Sequence, residues 1–202
     1  MKLTYKGKYT GEDQLPKGIL PPSAVKFREP GTPAKTQLVA SLFVLPALLL
    51  IGLFVLTSAL LHGSLYLDTR ASNSLIGVAL ALLTIYPHEL LHALCFGKNA
   101  EVEVYIVPKW LMAFVYCTQP VSKARFIFIS LFPNLIFGWL PLTIWAVLHP
   151  VIIYSDTLFM FSCMSILFGC GDYMNVYNAL RQMPKGSMQQ LSGYNSYWFM
   201  PM

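Results

Sequence analysis

At 202 residues, 55% hydrophobic and only 11% charged, with a mean hydropathy of +0.55, the chain is too apolar for an ordinary soluble domain, where about 25% of residues are charged. Its formal charge of +5 comes without Arg/Lys-dense runs interleaved with aromatics, which argues against a nucleic-acid partner. The lipid bilayer is the expected main solvent.

Residues 1–36 are polar and basic, and Pro16, Pro21, Pro22, Pro30 and Pro33 discourage a long helix there. This segment is expected to be a basic cytoplasmic arm, extended in part. Its Lys and Arg residues would attract anionic headgroups at about 1 kcal/mol each. The first apolar run begins near Leu38, too deep and too long for a signal peptide. Leu38–Leu61, Leu75–Phe96, Phe126–Leu148 and Thr157–Leu180 are each long enough to span a hydrocarbon core, which needs about 20 residues.

Between the second and third runs the period changes. Glu101 to Val107 alternates polar and apolar, Pro108-Lys109-Trp110 interrupts, and Leu111 to Thr118 is β-rich, so a β-hairpin is expected. Such a hairpin, beside the second span, could offer an open edge to an extended peptide. The fold class is therefore an all-α polytopic membrane protein of four transmembrane helices, with a small hairpin between the second and third. Three segments follow: an arm over 1–36, a four-span unit over 37–182 and a tail over 183–202.

With four spans, the arm, the 97–125 loop and the residues after Leu180 share one side and hold seven, four and two Lys/Arg residues, against Arg70 alone opposite. The positive-inside rule then places both termini in the cytoplasm of a multi-pass protein of the cell membrane. The cysteines Cys95, Cys117, Cys163 and Cys170 lack Cys-x-x-Cys spacing and read as small buried hydrophobes. His62 and His149 sit at the outer ends of spans and are read as interfacial residues. Trp110, Trp139, Trp145 and Trp198 are read as membrane anchors or packing groups.

Within the second span stands Pro87-His88-Glu89-Leu90-Leu91-His92. Histidines four apart on a helix share a face and can share a metal ion, with the intervening glutamate placed as general base. An ionisable residue at membrane depth is functional by default. Asp172 lies at matching depth in the fourth span, where no Lys or Arg is available to pair with it, and is the expected third ligand. Catalytic zinc takes three protein ligands and keeps a fourth position open. Pro87 should bend the helix just before His88. Gly169 and Gly171 should permit close approach of the second and fourth helices. Asn134 and Asn175 are polar groups in apolar surroundings; each could bind substrate backbone, orient a ligand or bond helix to helix.

Taken together, His88-Glu89-Leu90-Leu91-His92-Ala93, Val102-Glu103-Val104, Phe132-Pro133-Asn134 and Gly171-Asp172-Tyr173-Met174-Asn175 resemble the putative zincin peptidases of bacterial membranes, similar in layout to site-2-protease-type intramembrane metalloproteases. The resemblance covers about residues 70–200. It implies zinc held by His88, His92 and Asp172, with Glu89 catalytic. Gly171 precedes the aspartate rather than following it, and Pro133-Asn134 lacks the glycine of the Gly-Pro-x-x-Asn segment in those enzymes. The expected function is an HExxH-type zinc metallopeptidase acting on membrane-embedded or juxtamembrane peptides near the cytoplasmic face. The alternatives are a non-proteolytic membrane binding or regulatory protein that retains the metal site, and a metal transporter.

Overall fold

Thr32 starts the first helix. Its hydroxyl accepts from the Lys35 N–H at 3.4 Å, and Pro33 occupies the first helical position, where a missing N–H is harmless. From there α1 (Pro33–Ser41) and α2 (Val44–His62) run on as one 30-residue apolar rod in the computed structural model, which describes residues 1–63, 71–110 and 112–201. Leu45, Leu49, Leu53, Leu56 and Leu60 all stand more than half exposed along α2, a surface suited to lipid rather than water. A second continuous rod, Lys123–Val151, comprises α5 (Lys123–Asn134), a π-helical turn (Leu135–Trp139), α6 (Leu140–Leu148) and a closing 3-10 turn. Both are long and apolar enough to cross a membrane.

The other two expected spans are broken rather than straight. Helices α3 (Ala71–Leu83) and α4 (Ile85–Cys95) meet at 40°, and α7 (Ser155–Phe168) and α8 (Cys170–Gln182) at 47°. The protein thus has two candidate spans, or four if each bent pair counts as one. Pro87 explains the first break: having no N–H, it leaves the Leu83 carbonyl without its helical donor. The bend falls at Thr84, one turn ahead of the expected position. There Thr84 Oγ1 donates to the Ala81 carbonyl (2.8 Å), and the ladder resumes with His88 N–H to Thr84 O (2.8 Å).

Close helix approach occurs where glycine allows it, but elsewhere than expected. A Cβ on Gly77 of α3 would stand 2.5 Å from the Thr157 carbonyl of α7, so this glycine seats the second run on the fourth. Gly169 instead faces Asn134 of α5, and Gly171 has nothing within 4 Å.

The all-α expectation holds only in part: the protein is mostly helical, but two small sheets join the helices. In the first, β1 (Lys2–Lys8) pairs in parallel with β3 (Glu101–Val107), which pairs antiparallel with β4 (Met112–Tyr116). In the second, the antiparallel order is β2 (Val25–Lys26), β7 (Asn195–Phe199), β6 (Met188–Ser192) and β5 (Val121–Ser122). The hairpin between the second and third runs is therefore present, and it gains a third strand from the basic N-terminal segment. Lys2 and Lys6 meet Glu101 (3.6 Å) and Glu103 (2.9 Å) across the β1–β3 pair. The same segment buries Leu15 against Tyr105 and Tyr116, and Phe27 against Ala179 and Met183. The expected tail forms the β6–β7 hairpin, closed by Gly193 at φ +58°.

His149 packs inside the protein. It is buried, stacked on Trp145 at 5.2 Å, with its Nδ1 3.0 Å from Ser58 Oγ and its ring 4.6 Å from that of His62. Cys95, Cys117 and Cys163 are buried and Cys170 half-buried, all as free thiols. Arg70 lies outside the described residues, as does the side chain of Trp110.

Candidate metal centre

Helix α4 sets His88 and His92 one turn apart on one face, their ring centroids 4.8 Å apart. Asp172, in the first turn of α8, reaches across to both: Oδ2 lies 3.1 Å from His88 Nε2 and Oδ1 3.2 Å from His92 Nε2. One potential ligand atom from each of the three lies within 4.8 Å of the others, the one such His/Cys/Asp/Glu group among the described residues. The break at Gly169 is what turns the start of α8 inward, so that Asp172 meets α4 while α7 packs on α3.

His92 is held by a backbone carbonyl that sequence reasoning missed. Pro133 lies inside α5 and cannot donate to the Ile129 carbonyl four residues earlier. That freed oxygen accepts from His92 Nδ1 at 2.8 Å. A carbonyl can only accept, so Nδ1 carries the proton, and in the neutral ring Nε2 turns its lone pair toward Asp172. The one signal in the sequence was Pro133 itself.

Asp172 is also held from outside. Asn134 is fully buried, and its Nδ2 donates to Asp172 Oδ2 at 2.7 Å. Tyr173 Oη donates in turn to Asn134 Oδ1 (3.3 Å), and Trp139 Nε1 donates to Tyr173 Oη (3.1 Å). The π-helical turn that carries Trp139 follows Pro133 and Asn134 directly, a local irregularity common at functional sites. Asn134 therefore faces the carboxylate of Asp172. Asn175 lies half-buried one turn further along α8.

Glu89 projects from α4 toward β4, where its Oε2 accepts from the Val115 backbone N–H at 3.1 Å. Val115 pairs with Val104 of β3, so a donor spent on Glu89 is one that points to the outer edge of this last strand. Beside that edge, a cavity of about 400 Å³ is lined by Tyr9, Met112, Phe114, Tyr116, Leu191 and Tyr194, among others. It is mostly apolar.

Residues 81–188, just over half of the chain, match the model of a family described as putative zincin peptidase. The chain belongs to this family. The matched region of this zincin-family protein holds α4, β3, β4, α5 and α8, and with them His88, Glu89, His92, Asn134 and Asp172. Strands β1 and β2 and helices α1 and α2 lie outside it. Membership implies zinc and metallopeptidase activity, and two imidazoles plus a carboxylate form a donor set suited to that ion. No match was found among curated proteins or among solved structures.

Proposed function

We propose that this zincin-family protein is an intramembrane zinc metallopeptidase that hydrolyses peptide bonds of membrane-embedded or juxtamembrane substrates near the cytoplasmic face of the cell membrane. The observation that carries the reading is the meeting of His88, His92 and Asp172, from two separate apolar runs, with Glu89 adjacent. His88 Nε2, His92 Nε2 and an Asp172 oxygen would hold the zinc. Bound zinc supplies Lewis acidity, polarising the scissile carbonyl and bringing the pKa of a water to about 7. Glu89 takes the proton from the attacking water and later delivers it to the leaving amine. The Ile129 carbonyl keeps His92 in one tautomer, and Asn134 orients Asp172 rather than substrate. Asn175 remains a candidate contact for the substrate backbone.

An extended substrate would pair with the outer edge of β4, its main chain read with little sequence preference. The adjoining aromatic-lined cavity suits an apolar substrate side chain. In the membrane, the four apolar runs span the bilayer with both termini cytoplasmic, since the basic residues of 1–36, 97–125 and 183–202 then share the cytoplasmic side.

The test is Glu89→Gln, a near-isostere whose amide oxygen can still accept from Val115. Purified protein should carry about one zinc per chain. The variant should keep that zinc and lose cleavage of a co-expressed single-span reporter. Undiminished cleavage would end the mechanism, and full biological function without cleavage would favour the non-proteolytic binding role.

A further inference from the structure

A second cavity, larger than the one beside β4, lies away from the metal centre. It is a groove of about 720 Å³ between the β2 strand with its following turn, the junction of α1 and α2, the C-terminal half of α8, and Trp198 of β7. Three cations line it: Lys26, Arg28 and Arg181. None of them forms a salt bridge among the described residues. The carboxylate that also lines the groove, Glu29, is partly spent as the acceptor of the Ser196 N–H at 3.3 Å. Charge in the groove is therefore predominantly positive.

Two of the three cations are anchored, Arg28 through its backbone and Arg181 through its side chain. Gln182 of α8 clamps the Arg28 backbone from both sides, its Oε1 accepting from Arg28 N–H (2.7 Å) and its Nε2 donating to Arg28 O (3.5 Å). That clamp fastens Arg28 to the same helix that carries Arg181. Arg181 donates to Tyr177 Oη at 2.7 Å and lies over the Tyr177 ring, 5.8 Å from its centroid. Tyr177 in turn packs on Phe43 at 5.5 Å. The opposite wall is apolar, built from Val39, Phe43 and Met174, and it continues onto Leu38 and Leu42, exposed by 69% and 59% on the first long rod.

A groove with cations at one end, aromatics at mid-level and an apolar exit fits an amphiphile with an anionic head. We propose that it binds an anionic phospholipid, the phosphodiester seated among Lys26, Arg28 and Arg181 and the acyl chains running over Val39 and Phe43. A free phosphate ion would use only the first half of the groove. The site is independent of the peptidase reading.

The experiment is a native mass-spectrometry titration of the full-length chain in neutral detergent, with phosphatidylglycerol and phosphatidylcholine as probes and a melting curve for each variant. Phosphatidylglycerol should bind at least about tenfold more tightly. Lys26→Gln and Arg28→Gln, both at exposed positions, should each weaken it about fivefold and together about 30-fold, at about 1 kcal/mol per charge. Phosphatidylcholine binding should not change. Should the double variant fail to melt cooperatively, the two single variants decide. Lys17→Gln, outside the groove, should leave affinity within about twofold.

Equal affinity for the two lipids would overturn the proposal, as would groove variants that bind like the parent or a Lys17→Gln loss of equal size. Inorganic phosphate should not displace the lipid. Displacement at matching affinity would make the groove a phosphate site and sink the lipid assignment.

Discussion

Replacing Gly169 by alanine probes the metal centre without touching any residue proposed to hold the ion. The new Cβ would stand 1.7 Å from Asn134 Oδ1, 2.5 Å from its Cγ and 2.7 Å from its Nδ2. Ordinary contact begins near 3.4 Å, so the carboxamide must retreat by about 1.7 Å, yet Asn134 is fully buried. A shift of that size carries Nδ2 out of hydrogen-bond range of Asp172, now 2.7 Å away. Overpacking costs about 1–3 kcal/mol, and a lost bond to a charged group about 1.5–3 kcal/mol. Stability should therefore fall by roughly 3–5 kcal/mol, and zinc affinity about 10–100-fold through the misdirected carboxylate. Chelator competition reads the affinity, and thermal melting in the same detergent reads the stability. Gly171→Ala is the control: two residues along the same helix, with nothing within 4 Å, it should be silent in both. A Gly169→Ala protein that binds zinc and melts like the parent would refute the argument.

Pro133→Ala returns an N–H to compete with His92 for the Ile129 carbonyl; zinc affinity should drop about tenfold, and nitrogen NMR of the imidazoles should show a mixed tautomer where the parent shows one. Joint His88→Ala and His92→Ala substitution should abolish zinc retention, measured as metal per chain. Burial is the main cause raising the Glu29 carboxyl above its ordinary value, against the Ser196 bonds and Lys26, which lower it. The folded state then holds that proton more tightly than the unfolded chain, so its contribution to stability is intact below the ordinary carboxyl range and is lost as pH rises through the raised value. Glu29→Gln should accordingly melt higher than the parent at pH 8 and no higher at pH 4; the same difference at both would disprove the linkage.

The long apolar runs and the three converging side chains were legible because ionisable groups in lipid-like stretches stand out from their neighbours. Matching depth in the second and fourth apolar runs puts His88, His92 and Asp172 at one level. The bends were half legible: Pro87 announced one, but its effect falls on the carbonyl four residues back, while Gly169 gave no directional hint. The β1 strand was invisible because its partner Glu101–Val107 lies far along the chain and its own charges resemble a solvated arm. Asn134 was seen as polar in apolar surroundings, yet nothing in the sequence says that it faces Asp172 rather than open space. The acceptor for His92 is a main-chain oxygen, which no side-chain motif records.

The parallel pairing of β1 with β3 carries a consequence for biogenesis. A ribosome delivers Lys2–Lys8 long before Glu101–Val107 exists, and helices α1 to α4 are synthesised in between. Until then the early strand waits without a template, kept soluble by its lysines. The edge strand that borders Glu89 thus belongs to a sheet that cannot be complete until the helix bearing His88 and His92 has been made, so this side of the candidate site closes late.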